Sequence, residues 1–134
     1  MDPRWGLAAT LALAVGCGGG GPSAPKPISG PAKEVADVVA RLEKATARQD
    51  FATICDDLLA AATRSQAGGA DCVRVLGERA GNVRRPRIVV QAIEVDGNSA
   101  QARVRTTARG QAATTDVIRL IREGGRFRIS ALGR

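Results

Sequence analysis

The sequence has no histidine and no tyrosine, and its aromatics are only Trp5, Phe51 and Phe127, 2% of the chain. Lacking histidine removes the commonest general acid or base and the commonest metal ligand together. With so few aromatics there is no platform on which successive bases stack, which argues against nucleic-acid partners. A bilayer-spanning helix needs about 20 apolar residues, whereas the apolar stretch near the start, Leu7 to Val15, has nine. What is present suits one domain: 134 residues, 44% of them apolar, with a formal charge of +7. That is enough chain to bury a core. Composition alone therefore excludes most catalysis, and neither a cofactor nor a metal site is expected.

The first thirty residues are organised differently from the rest. Arg4 precedes the Leu7–Val15 stretch, small residues follow, and Cys17 comes next. One cation, a short apolar run and small residues are the parts of a secretory signal. Leu13-Ala14-Val15-Gly16-Cys17 resembles the lipobox of bacterial lipoproteins, with Ala14 where that family usually has leucine. The resemblance implies cleavage after residue 16, lipid on Cys17 and a location on the outer face of the cell membrane. Residues 17–30, with four consecutive glycines and then Pro22, Pro25 and Pro27, read as a tether. Gly16 to Gly21 also satisfies G-x-G-x-x-G, but it follows no strand and opens no helix, so a dinucleotide site is not expected.

From residue 31 to 134 a single folded domain is expected. Val35, Val38, Val39 and Leu42 make a helical stripe opposite Glu34, Asp37, Arg41 and Lys44, and Asp37 is spaced to pair with Arg41. Asp50 is placed to cap a second helix carrying Phe51, Ile54, Cys55, Leu58 and Leu59. Asp71 is placed to cap a third, with Cys72, Val73, Val75 and Leu76, ending near Gly81. After Pro86 the period becomes two. Asp96-Gly97-Asn98, Gly110 and Gly124-Gly125 punctuate four strands. On the second strand Ala100, Ala102, Val104, Thr106 and Ala108 face one way; on the fourth, Phe127, Ile129 and Ala131 do. Helices followed by an antiparallel meander predict an α+β fold, with N-terminal helices on a sheet of about four strands.

This order resembles the nuclear transport factor 2-like superfamily, and Asp50 to Leu58 followed by Asp71-Cys72 is similar to small actinobacterial lipoproteins of that type. The resemblance covers residues 31–134 and implies a curved, cone-like sheet; a cystatin-like helix-on-sheet domain is the alternative. In the similar lipoproteins two cysteines bracket the second helix. With Cys17 acylated, Cys55 and Cys72 remain to form a disulfide across a loop of about 17 residues. No C-x-x-C spacing exists to suggest a redox pair, and two cysteines without histidine make a poor zinc site. Enzymes of the superfamily use an Asp inside the cone as a base. Asp56 and Asp57 are the candidates here, lacking the tyrosine that commonly serves as oxyanion donor.

The charge is uneven. Residues 84–134 carry eleven arginines against four acids, while residues 31–83 carry seven bases against eight acids. Arg103, Arg105, Arg109, Arg126 and Arg128 fall at outward positions of the strand alternation and suggest a face for anionic partners. The plainer reading is a solvated sheet surface. The functional expectation is a membrane-anchored lipoprotein whose non-catalytic domain binds a protein or a small apolar ligand. The alternatives are an isomerase- or cyclase-like enzyme with an Asp base, and an electrostatic binder of anionic envelope polymers.

Overall fold

A computed structural model describes residues 28–133. Cys17, the lipobox-like stretch and the tether up to residue 27 lie outside the described residues. Helix α1 (Gly30–Ala47) is followed by a single turn, α2 (Phe51–Thr53), that widens into a π-helical turn (Ile54–Leu58). Then come α3 (Ala61–Gln66), a 3₁₀ turn (Gly69–Asp71) and α4 (Cys72–Ala80). Strands β1 (Arg87–Asp96), β2 (Ser99–Ala108), β3 (Gln111–Glu123) and β4 (Arg126–Gly133) form one antiparallel sheet in the order β1-β2-β3-β4. The architecture is α+β, with an open sheet.

The stripe of α1 is buried as its spacing requires: Val35, Val38, Val39, Leu42 and Ala45 all face the core. The helix ends in a Schellman motif, in which the N–H of Asp50 bonds to the carbonyl of Ala45 and that of Gln49 to Thr46. The left-handed position falls on Gln49 (φ 56) rather than on glycine. Its side chain explains the choice, since Nε2 donates to the Gly81 carbonyl at 2.7 Å and ties the end of α1 to the end of α4. Asp50 caps α2 as expected, accepting from the Thr53 N–H (3.1 Å) and hydroxyl (2.7 Å). Those hydrogen bonds, the hydroxyl's first, hold the Asp50 carboxyl below the usual aspartate range.

Two other local expectations fail. Asp71 stands at the N-cap of α4 but makes no capping bond, its carboxylate lying 3.8 Å from Arg74 instead. Asp37 pairs with Lys33 (2.7 Å) rather than with Arg41, which reaches Asp57 at 3.5 Å. In both cases a competing partner lies on the same helix face or across a packed turn, and exposed pairs of this kind contribute under about 1 kcal/mol.

The inner face of the sheet carries Ala100, Ala102, Val104, Ile118, Leu120, Phe127 and Ile129 against the helices. Hairpin turns at Gly97-Asn98, Arg109-Gly110 and Gly124-Gly125 set the registers. Each register is interrupted once, between Val90 and Ala92, Thr106 and Ala108, and Arg119 and Leu120. A bulge shifts every later side chain to the other face. On β4, Ile129 pairs with Leu120 and Ala131 with Arg119, so Ser130 is the extra residue. The expectation that Ala131 faces inward is therefore corrected: Ala131 shares the outer face with Arg119, and Leu132, opposite Ile118, takes the inner position.

Both edges of the sheet are tied to the helical half. Leu59 forms a parallel bridge with Ile129, the Ala60 N–H donates to the Ile129 carbonyl at 2.8 Å, and the Thr63 hydroxyl donates to that of Ser130. At β1, the Ile88 N–H donates to the Glu43 carboxylate of α1 at 2.6 Å. Arg122 fastens the β3–β4 turn to α1 with two bonds to Glu34 (3.2 and 3.3 Å), its guanidinium lying 4.1 Å from the Phe127 ring centroid.

Candidate functional site

Alternation along β3 puts Asp116 in step with Ile118 and Leu120, hence on the inner face, opposite Val104 of β2. It sits where the sheet runs past the C-terminal half of α1. There a cavity of about 390 Å³ opens between helix and sheet, lined by Leu42, Ile88, Val104, Ile118 and Leu132, with Thr106 and Asp116 as its polar side chains. The Thr114 hydroxyl donates to the Asp116 carboxylate at 2.8 Å and orients it. An apolar recess with one carboxylate and one hydroxyl is the usual composition of a small-molecule site. Asp116 was not among the sequence candidates, because the adjacent apolar pairs Val117-Ile118 and Leu120-Ile121 do not say which face of the strand is inner.

The carboxylates singled out from the sequence are elsewhere. Asp56 and Asp57 lie on the exposed side of the π turn, Asp56 2.9 Å from Arg64 and Asp57 3.5 Å from Arg41, with more than half of each side chain in solvent. Neither points into the cavity. Among the described residues, no group of His, Cys, Asp or Glu is arranged to hold a metal ion, and no helix is long and apolar enough to cross a membrane.

Cys55 and Cys72 are joined by a disulfide, their Cα atoms 6.1 Å apart, and both are buried. The bond connects the π turn to the first residue of α4.

The five arginines expected to share one face are divided. Arg103 and Arg105 project from the outer face of β2, opposite Ala92 and Val89 of β1, and Arg109 occupies the turn after β2. The β1 and loop residues Arg87, Arg85 and Arg84 join them: Arg87 pairs with Thr107, and the Arg84 carbonyl accepts the Arg109 N–H at 2.8 Å. Arg126 and Arg128 are at the opposite end. Arg105 aligns with Thr115 on β3 and Arg128 with Ile121, a separation along the strand of about 20 Å. Arg128 also has structural work, donating to the carbonyls of Asp56 (3.2 Å) and Asp57 (3.1 Å), the unpaired acceptors at the end of the π turn.

No protein-family model matches the chain, and no curated protein matches it. The site is thus defined by its geometry: an apolar recess on the inner side and a cationic cluster at one end of the outer side.

Proposed function

We propose that the chain is an exported bacterial lipoprotein, anchored to the outer face of the cell membrane through Cys17, whose non-catalytic domain binds a small apolar ligand between α1 and the sheet. The observation that carries the binding reading is the cavity of about 390 Å³ with its Thr106 and Asp116 groups. Volumes of about 300–1,000 Å³ with few polar groups are typical of ligand pockets. The exposed, ion-paired positions of Asp56 and Asp57 speak against an enzyme using either as a base. The Cys55–Cys72 disulfide supports export, because such bonds persist in oxidising compartments. It also accounts for two of the three cysteines, the third being Cys17 in the lipobox-like stretch. The five short helical elements between α1 and the first strand favour a nuclear transport factor 2-like domain over a cystatin-like one.

Cys17→Ser tests the anchor. The expected result is release of the protein from the membrane fraction, with residues 1–16 retained on the product. Membrane retention with an uncleaved, unacylated N-terminus in the wild-type protein overturns it. The groove is tested with a neutral, environment-sensitive dye and Thr106→Trp, which places an indole in the mouth of the recess. Saturable dye binding is expected in the wild-type protein, weakened at least tenfold in the variant. Equal binding by the two proteins puts the ligand elsewhere.

A further inference from the structure

The cationic cluster is more than the sum of surface charges. Arg85, Arg87, Arg103, Arg105 and Arg109 are all exposed, and none forms an ion pair among the described residues. The acids of the helical half, by contrast, are largely taken up by local bases. Arg103 and Arg105 stand two residues apart on one face, about 7 Å along the strand, and Arg87 and Arg109 extend the row to the end of the sheet. Like charges so close repel one another, a cost that an anionic partner relieves. Arg85 adds a second sign of constraint, since it holds a left-handed backbone (φ 49) immediately before Pro86, a conformation disfavoured for a residue with a side chain.

The direction of the cluster follows from the fold. The first turns of α1 lie against the β3–β4 turn, where Glu34 meets Arg122. The cluster runs from Arg103, aligned with Val117 about 20 Å from that end, to Arg109 in the β2–β3 turn, at the other end of the thirteen-residue strand β3 and about 40 Å away. If the tether leads to a lipid at Cys17, the arginines lie toward the end of the sheet farther from its attachment.

We propose that Arg85, Arg87, Arg103, Arg105 and Arg109 form a binding surface for a linear phosphate-bearing polymer lying beyond the membrane surface. Guanidinium groups bind phosphate oxygens through paired N–H donors, and an extended row of them fits a repeating anion better than a single small one. The scarcity of aromatics removes base stacking, so recognition is of the backbone charge. The orientation rests on the lipoprotein reading; the binding does not, and its test needs no lipid anchor.

Long-chain inorganic polyphosphate serves as the probe, titrated against the purified full chain over a range of salt. Arg87→Gln/Arg105→Gln/Arg109→Gln is compared with a charge-matched control, Lys33→Gln/Arg74→Gln/Arg126→Gln, and thermal unfolding checks that both remain folded. The expected result is at least a tenfold loss of affinity in the first variant, with the salt dependence falling by about two to three counterions, and less than a threefold change in the control. Equal losses in the two variants overturn the proposal in favour of net charge alone. Loss of binding to anionic phospholipid vesicles with polyphosphate binding intact overturns it in favour of a membrane surface. Failure of the Cys17→Ser experiment would leave this result untouched, so the two readings fail separately.

Discussion

Replacing Cys55 and Cys72 together by alanine lowers the stability of the domain by about 3 kcal/mol and its unfolding midpoint by about 15 °C. The cysteines are 17 residues apart, so the bond removes the closure entropy of a mid-sized loop from the unfolded chain. Its local effect is larger than the loop length suggests. Cys72 is the only fully buried residue of α4, while Val73, on the same helix, is 44% exposed. Without the bond, α4 retains Leu76 and Ala80 at the margin of the core and the Gln49–Gly81 hydrogen bond. Hydrogen exchange in the variant is therefore expected to rise first between residues 61 and 86. Chemical denaturation gives the overall number, and a loss below about 1 kcal/mol would show that those marginal contacts hold α4 unaided.

Ile129→Ala is expected to cost about 3 kcal/mol, whereas Leu132→Ala, three residues on in the same strand, costs less than about 0.5 kcal/mol. Ile129 is fully buried, with its carbonyl accepting from Ala60 and its backbone bridged to Leu59. Removing its side chain leaves a void at the junction of sheet and helices that the doubly tied backbone resists closing. Leu132 also faces inward but is 57% exposed, because it lines the rim of the groove rather than the core. Its loss is read as weaker dye binding at unchanged stability. Comparable destabilisation by both substitutions would mean that Leu132 packs in the core rather than at the rim of the groove.

Much of the fold was legible in residue order. The α1 stripe, the Asp50 cap, the glycine-bearing turns and the alternation of β2 all reflect local steric and hydrophobic preferences, which a short window contains. Three features were not. The bulges in β1 and β4 depend on how one strand meets its neighbour, so the alternation Phe127, Ile129, Ala131 gave no warning that the face would change. The π turn ends in an extended pair, Leu59-Ala60, because those residues bond to β4 some 70 positions later. The division of the arginines follows from register, which decides that Arg128 reaches helical carbonyls while Arg87 lines up beside Thr107. Asp116 is a different case. The apolar pairs after it, Val117-Ile118 and Leu120-Ile121, leave both faces of β3 eligible until the strand meets β2, where Asp116 falls opposite Val104.

The bridge between Leu59 and Ile129 also has a meaning in time. A chain is made from its N-terminus, and Ile129 lies in its last strand. Until that strand is complete, the extended segment after the π turn has no partner, whereas α1 can already meet β1, to which Glu43 ties it. The four strands are joined by two-residue turns, so they assemble from neighbour pairs on a microsecond scale once available. The contact between the helical and sheet halves is the step of long sequence separation, the kind that slows folding. The disulfide, confined to the earlier half, can close before any strand has been made.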